Sequence, residues 1–397
     1  MTGLLLNTKL HRPSIDRNHV HRPHLLARFD QFRYKPLTLV SAPAGYGKSS
    51  LVSYWLESCD IPSAWVSLDE SDSDLRLFMS YFIAAVETIF PKACPRTQAL
   101  LNAIDLRPME VLCNNLLNEL DRIKQPFILV LDDYYLINGQ DIHNLIAQFL
   151  KNPPQFFNLV ILGRRDPPLP ISSLRAQGNL MEIRAADLCF SEAETETLLN
   201  QLLGIQIDTS VATSLAKKTE GWVTGLRLAA LSMRQQPDID HKLLEPHVDA
   251  QYVMEYLFTE VFSEQPPEIS RYLLGTAVLN QFCGPLCEAV CAPGAEPFTC
   301  EIGGWEFIQW LKKENMFIIP LDHEKRWYRY HHLFRKLLLN QLNRQYSAKD
   351  INVLHAQASA WFAENGQIVD ALRHALAAGE VEKAGSIFAR AGHQMMN

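Results

Sequence analysis

Apolar residues follow one rhythm in the first half of this chain and another in the second. From residue 36 to residue 189, short unbroken apolar runs alternate with stretches whose apolar positions recur every three or four residues. The runs are Leu37, Leu39 and Val40, then residues 64–68 (AWVSL), 127–131 (FILVL), 158–163 (NLVILG) and 180–184. They are too apolar for strands with one wet face, so they read as strands of a parallel sheet covered on both sides. Between them, Leu75, Phe78, Met79, Phe82 and Val86 fall on one helical face, and residues 109–123 supply a second helix. This alternation predicts an α/β fold with a doubly wound, mainly parallel sheet and right-handed crossovers.

At Phe190 the strand signal stops. Ser191 and Glu194 have the spacing of a capping box and open a helix that ends near Gly204. Residues 211–218 and 221–232 continue as helices, the second with Trp222, Leu226 and Ala229 on one side, and together they predict a small all-α lid. Residues 237–246 read as a polar linker. Helices resume at Gln251, and residues 316–330 read as two strands around a turn at 322–325, followed by the helix HLFRKLLLNQL. Helices capped by a hairpin predict a winged-helix domain. Residues 351–394 break at Gly366 and Gly379 into short amphipathic helices, the start of a helical solenoid. A solenoid needs about three repeats, so the chain reads as the front part of a longer protein. The expected layout is an N-terminal arm at 1–34, an α/β domain at 35–189, a lid at 190–240, a winged-helix domain at 246–345 and the start of a helical repeat at 346–397.

The candidate chemistry sits where strands end. After the first strand comes APAGYGKSS: Ala42, Pro43, Ala44, Gly45, Tyr46, Gly47, Lys48, Ser49 and Ser50. A triphosphate needs inward-turned backbone N–H groups, which Gly45 and Gly47 permit, and a helix N-terminus to attract the anion. It also needs a lysine reaching the outer phosphates and a hydroxyl on Mg²⁺, the parts for Lys48 and Ser49. Ala42 stands where such a loop usually has its first glycine. The strand 127–131 runs into Asp132 and Asp133, at the sheet edge where ligands of open parallel sheets bind. Asp132 is the candidate for holding Mg²⁺ and Asp133 for orienting the attacking water. The strand 158–163 runs into Arg164 and Arg165, either of which could meet a γ-phosphate; Arg164 is preferred because it is nearer the strand tip.

Charge and cysteine content narrow the function. The formal net charge of -7 argues against a general nucleic-acid binder. The opening residues carry no signal peptide, and no run approaches the roughly 18 apolar residues that span a membrane, so a cytoplasmic protein without membrane contact is expected. Eight scattered cysteines then read as reduced thiols. Cys283, Cys287 and Cys291 recur every four residues, a spacing that matches no usual zinc pair.

Taken in order, SAPAGYGKSS, LVLDDYYLI, LGRRDPPLP, EGWVTGLRLAALS and YHHLFRKLL resemble the signal-transduction ATPases with numerous domains, in particular the MalT-type ATP-dependent regulators of the LuxR family. The resemblance implies ATP/ADP and Mg²⁺ as ligands, with Asp132 on the metal, Asp133 beside it and Arg164 as the sensor arginine. It further implies that His331 touches the β-phosphate of ADP, with His332 as its rival, and that Arg22 of the arm lies near the base. Gly225, Leu226 and Arg227 stand where the class has Gly-x-Pro, which leaves a direct base or ribose contact there in doubt. The implied function is a switch of a transcriptional activator. ADP holds a closed monomer, and ATP with a small-molecule or protein inducer, sensed through downstream helical repeats, drives self-association. Slow hydrolysis resets it, and DNA is met only through a C-terminal domain absent from this sequence. The rivals are a dedicated P-loop ATPase or kinase with a separate substrate, and a nucleotide-binding scaffold that does not hydrolyse.

Overall fold

A computed structural model describes residues 5–105, 107–234, 251–291 and 297–395. The chain divides into two compact units, Met1–Thr213 with Gly221–Arg227, and Ser214–Glu220 with Leu228–Asn397.

Unit one is built on five strands, β1 (Leu37–Ser41), β2 (Ser63–Ser67), β3 (Phe127–Asp132), β4 (Phe157–Gly163) and β5 (Leu180–Arg184). They lie in the order β2-β3-β4-β1-β5, and every pairing is parallel. The apolar runs explain this: all residues of β1, β3 and β4 are buried, as strands covered on both faces must be. Leu39 sits opposite Ile161 on one side and Glu182 on the other. Only β4 separates β1 from β3, so their C-terminal tips emerge roughly 10 Å apart on the same edge. That adjacency brings the loop after β1 towards the carboxylates after β3.

The helix Leu75–Ile89 buries Phe78, Met79, Phe82 and Val86, the face its spacing predicts. Phe82 packs on Phe149 of the helix Gln140–Lys151 with ring centroids 5.6 Å apart, and Phe127 packs on Phe157 at 5.1 Å. The arm is tied to this unit. Its helix Pro23–Phe32 buries Leu25 and Phe29, and Phe29 stacks on Trp55 at 4.6 Å. Ahead of it, Lys9 Nζ reaches the buried Asp72 at 2.7 Å. The capping box forms as read: Ser191 Oγ accepts from the Glu194 N–H at 3.2 Å, and a Glu194 carboxylate oxygen accepts from the Ser191 N–H at 2.8 Å. The helix Glu192–Leu203 ends at Gly204 with φ +69°. Helices Thr209–Thr219 and Val223–Arg234 follow, and the predicted linker 237–246 lies outside the described residues.

Unit two contains the helices Pro267–Thr276, Gly284–Val290 and Gly304–Lys313, then an antiparallel hairpin of β6 (Ile318–Pro320) and β7 (Tyr328–Tyr330), then the helix His332–Gln345. Phe282 adds a bridge to Tyr328, widening the wing to a third segment. Of the bases and aromatics interleaved along this wing, Arg329 pairs with Glu220 at 2.7 Å and the Tyr330 hydroxyl meets Thr276 Oγ1 at 2.7 Å, so both are engaged inside the unit. The helices Ala348–Glu364, Ile368–Ala377 and Val381–Met395 pack each on the next, turning at Gly366 and Gly379 with φ near +75°. Cys283 precedes the helix Gly284–Val290, Cys287 lies within it and Cys291 follows it, all buried. Among the described residues no cluster of three or more ligating side chains could hold a metal, and no helix is long and apolar enough to cross a membrane.

Candidate functional site

The loop after β1 turns twice through the left-handed region, at Gly45 (φ +74°) and Gly47 (φ +76°), before the helix Lys48–Ser58 begins. Gly45 is required for a second reason. A Cβ there would lie 2.6 Å from Thr224 Oγ1 and 2.9 Å from Trp222 Nε1, closer than atoms can approach. These two residues grip the loop: the Trp222 indole donates to the Ala44 carbonyl oxygen at 3.1 Å, and the Thr224 hydroxyl and N–H donate to the Gly45 carbonyl oxygen at 2.9 and 3.2 Å. Ala42 is fully buried, its N–H on the Gly163 carbonyl oxygen of β4, so alanine is accommodated where a glycine is usual. Pro43, Ala44 and Tyr46 complete the turn, with Ala44 and Tyr46 buried, and Ser50 lies exposed in the first turn of the helix.

Lys48 is 8% exposed, and its Nζ donates to the carbonyl oxygens of Ala42 and Pro43 at 2.8 and 3.0 Å. Burial lowers its pKa to about 8, with Arg164 pushing the same way and Asp133 and Asp132 opposing. An ammonium held only by two neutral carbonyls is a cation that an incoming phosphate can recruit.

Ser49 Oγ donates to Asp132 Oδ1 at 3.0 Å, which joins the start of the helix to the tip of β3 across the sheet edge. Asp132 is 5% exposed; burial and the neighbouring Asp133 raise its carboxyl to about 7, against the hydrogen bonds from Ser49 and from the Asp133 N–H. Burial raises Asp133 as well, while Lys48 and Arg164 pull it down. Asp133 takes φ +56°, rare for a residue with a side chain, and so turns the chain away from β3 at once. A serine hydroxyl and a carboxylate within hydrogen-bond distance form a hard oxygen donor set that fits Mg²⁺. Arg164 lies over the Tyr135 ring at 5.3 Å and acts electrostatically on Lys48 and Asp133, whereas Arg165 donates to the Tyr135 carbonyl oxygen at 3.1 Å and acts on His143.

Beside Gly47 and Ser50 a cavity of about 280 Å³ opens, lined among others by His19, Val20, Val223 and Thr224. The His19 ring stacks on Tyr54 at 4.1 Å, and its Nε2 is buried with no hydrogen-bond partner. Arg22 borders the same cavity but is itself committed. Its guanidinium donates to the Leu188 and Cys189 carbonyl oxygens at 2.9 and 2.8 Å and to Glu194 at 2.9 Å, and stacks over Phe190 at 4.7 Å. A larger cavity of about 410 Å³ lies against Leu77, Ile83 and Leu101, but it touches none of the loop residues and gathers no comparable chemistry.

His331 lies in unit two, 1% exposed. Its Nδ1 accepts from the Leu333 N–H at 3.3 Å, which leaves Nε2 to donate to the Thr219 carbonyl oxygen at 2.8 Å. Burial lowers its pKa, so the ring is neutral. His332 is exposed, 3.6 Å from Glu220.

Unit one therefore gathers Lys48, Ser49, Asp132, Asp133 and Arg164 at one sheet edge. Sequence reading did not find Trp222 and Thr224 as loop contacts, nor His19. Trp222 carried only a helical-face signal, and nothing in its spacing points to a loop some 180 positions earlier.

Residues 258–350 match the MalT winged helix domain. Over 381 residues the chain is 30% identical to the HTH-type transcriptional regulator MalT of Yersinia enterocolitica, and over 380 residues 31% identical to that of Yersinia pestis; each match covers 95% of this chain and 41% of the relative. Among solved structures, the Walker-type ATPase of Pyrococcus abyssi aligns with 82% of this chain and 98% of its own, at a TM-score of 0.55 and 14% identity, a likeness of fold. The chain is thus similar over nearly all its length to the MalT regulators, spans about 41% of theirs, and matches the MalT winged helix domain after its α/β unit.

Proposed function

We propose that this chain is the nucleotide-controlled switching part of a transcriptional activator, binding ATP or ADP with Mg²⁺. The observation that carries the reading is the Ser49–Asp132 hydrogen bond of 3.0 Å, beside a Lys48 ammonium held only by neutral carbonyls. Ser49 and Asp132 hold the metal, and Lys48 leaves the Ala42 and Pro43 carbonyls for the outer phosphates. Bound Mg²⁺ neutralises charge on the phosphate oxygens. The N–H groups of residues 45–50 cradle the phosphates, Asp133 orients the attacking water, and Arg164 meets the γ-phosphate. The cavity beside His19 takes the base, with Arg22 fixing its wall. His331 gives up its Thr219 bond for the β-phosphate of ADP and favours a closed monomer. The layout of arm, nucleotide domain, lid, winged helix and helical repeats is that of such a switch. ATP and an inducer read by further repeats favour self-association, slow hydrolysis restores ADP, and DNA is bound by a domain beyond this chain.

The experiment is nucleotide content and solution mass of the purified chain. Lys48→Ala should empty it, Asp133→Ala should hold ATP without turnover, and His331→Ala should release ADP faster and raise the mass in ATP. Fast turnover tied to a second substrate would make the protein a dedicated ATPase or kinase. Nucleotide held with no hydrolysis at all would make it a scaffold.

A further inference from the structure

Two cysteines meet in unit two. Cys291 follows the helix Gly284–Val290, and its carbonyl oxygen accepts the backbone N–H of Cys300 at 3.2 Å. A single backbone hydrogen bond between two residues brings their Cα atoms close to the range of about 4.4–6.8 Å that a disulfide spans. The two thiols are close enough to perturb each other's ionisation.

Their surroundings differ. Cys291 is 2% exposed and sealed against the helix Pro267–Thr276, where a Cβ added at Gly275 would come within 2.9 Å of its sulfur. The neighbouring Cys300 and burial both raise its pKa, so Cys291 holds its proton. Cys300 is only half-buried. Its sulfur lies 3.3 Å from the Phe298 carbonyl oxygen, and the next two N–H groups along the chain donate to the Glu268 carboxylate. The neighbouring Cys291, opposed by burial and Glu268 and helped by Arg271, lowers its pKa and favours its thiolate. Cys283 and Cys287 are buried, and burial raises both.

We propose that Cys300 and Cys291 are a dithiol modification site that reacts with a hydroperoxide, Cys300 as nucleophile and Cys291 as resolving thiol. The Cys300 thiolate attacks the distal oxygen of the O–O bond, forming a sulfenic acid and releasing the alkoxide or hydroxide, which takes a proton to leave as alcohol or water. Cys291 sulfur then attacks Cys300 sulfur; the S–O bond breaks, the Cys291 proton joins the departing hydroxide as water, and a disulfide remains. Two electrons pass from the thiols to the peroxide. The burial of Cys291 makes it reachable by Cys300 and not by solvent, which orders the two steps.

The test uses the whole chain, hydrogen peroxide in excess, alkylation and peptide mass analysis, with far-UV circular dichroism confirming that each variant is folded. Wild type should yield one linked peptide pair joining Cys291 to Cys300, reversed by dithiothreitol. Cys291→Ser should stop at a sulfenic acid on Cys300, trapped by dimedone, and Cys300→Ser should slow peroxide-dependent thiol loss at least tenfold. A wild-type protein whose Cys291 and Cys300 alkylate as fully after peroxide as before it overturns the proposal. So does a dimedone adduct in Cys291→Ser that falls on another cysteine.

Discussion

The Trp222 indole N–H donates to the Ala44 carbonyl oxygen at 3.1 Å, so the loop that holds Lys48 is propped from behind by the turn that begins the helix Val223–Arg234. With Thr224 on the Gly45 carbonyl oxygen and Lys48 on those of Ala42 and Pro43, four successive loop carbonyls are occupied. On the proposed reading the lysine would leave for a bound phosphate, and Trp222 and Thr224 would be the supports that keep the loop amides turned inward.

Trp222→Phe retains the packed ring and removes the donor, leaving a buried carbonyl oxygen unmatched at a cost of about 1–2 kcal/mol. Nucleotide dissociation measured by calorimetry should rise roughly five- to thirtyfold. Unchanged affinity with unchanged thermal stability would remove the indole from the loop's support.

Gly45→Ala meets two obstacles, a φ of +74° and the Thr224 hydroxyl 2.6 Å from the new methyl group. The loop must leave its seat, so nucleotide binding should be lost while the sheet stays folded. Adding Thr224→Ala should recover little of the binding, because it removes the hydroxyl but leaves the Cβ at 224 and the Trp222 Nε1 2.8 and 2.9 Å from the new methyl group, and leaves the backbone strain.

Arg22→Ala strips a buried guanidinium from Glu194 and from the carbonyl oxygens at the end of the 185–189 segment. Breaking a buried ion pair on one side costs about 3–5 kcal/mol, which urea unfolding of the nucleotide-free chain should register. Arg22→Lys should recover little, since an ammonium cannot supply the fork that spans these acceptors.

On the proposed reading Mg²⁺ would need the Asp132 carboxylate, whose pKa burial raises to about 7 in the folded protein. A folded-state pKa above the unfolded one means that the folded chain keeps a proton the unfolded chain has lost. The contribution of Asp132 to stability is therefore full below about pH 4 and is lost as pH rises through 7. Metal binding runs the other way. Affinity for Mg-nucleotide should climb by up to about tenfold per unit as pH rises towards 7, and weaken above about 8 as Lys48 loses its proton. Titration of nucleotide in EDTA should lack the acid limb; an acid limb that persists there would assign it to another group.

Much of this arrangement was legible in the order of residues. A buried parallel strand is a short apolar run, a phosphate loop is a glycine pattern opening a helix, and Asp132 and Asp133 declare themselves by ending the most apolar run in the chain. The capping box at Ser191 and the hairpin before His331 were legible for the same reason, since each depends on neighbours a few positions apart. Tertiary structure alone decided which side chains close around the loop. Trp222 and Thr224 reach it from other elements and His19 lines the cavity beside it, and such an approach between elements leaves no period in a sequence. It also separated neighbours that look alike in one dimension. Arg164 acts on Lys48 and Asp133 while Arg165 turns to the Tyr135 carbonyl, because successive residues beyond a strand tip leave the sheet in different directions.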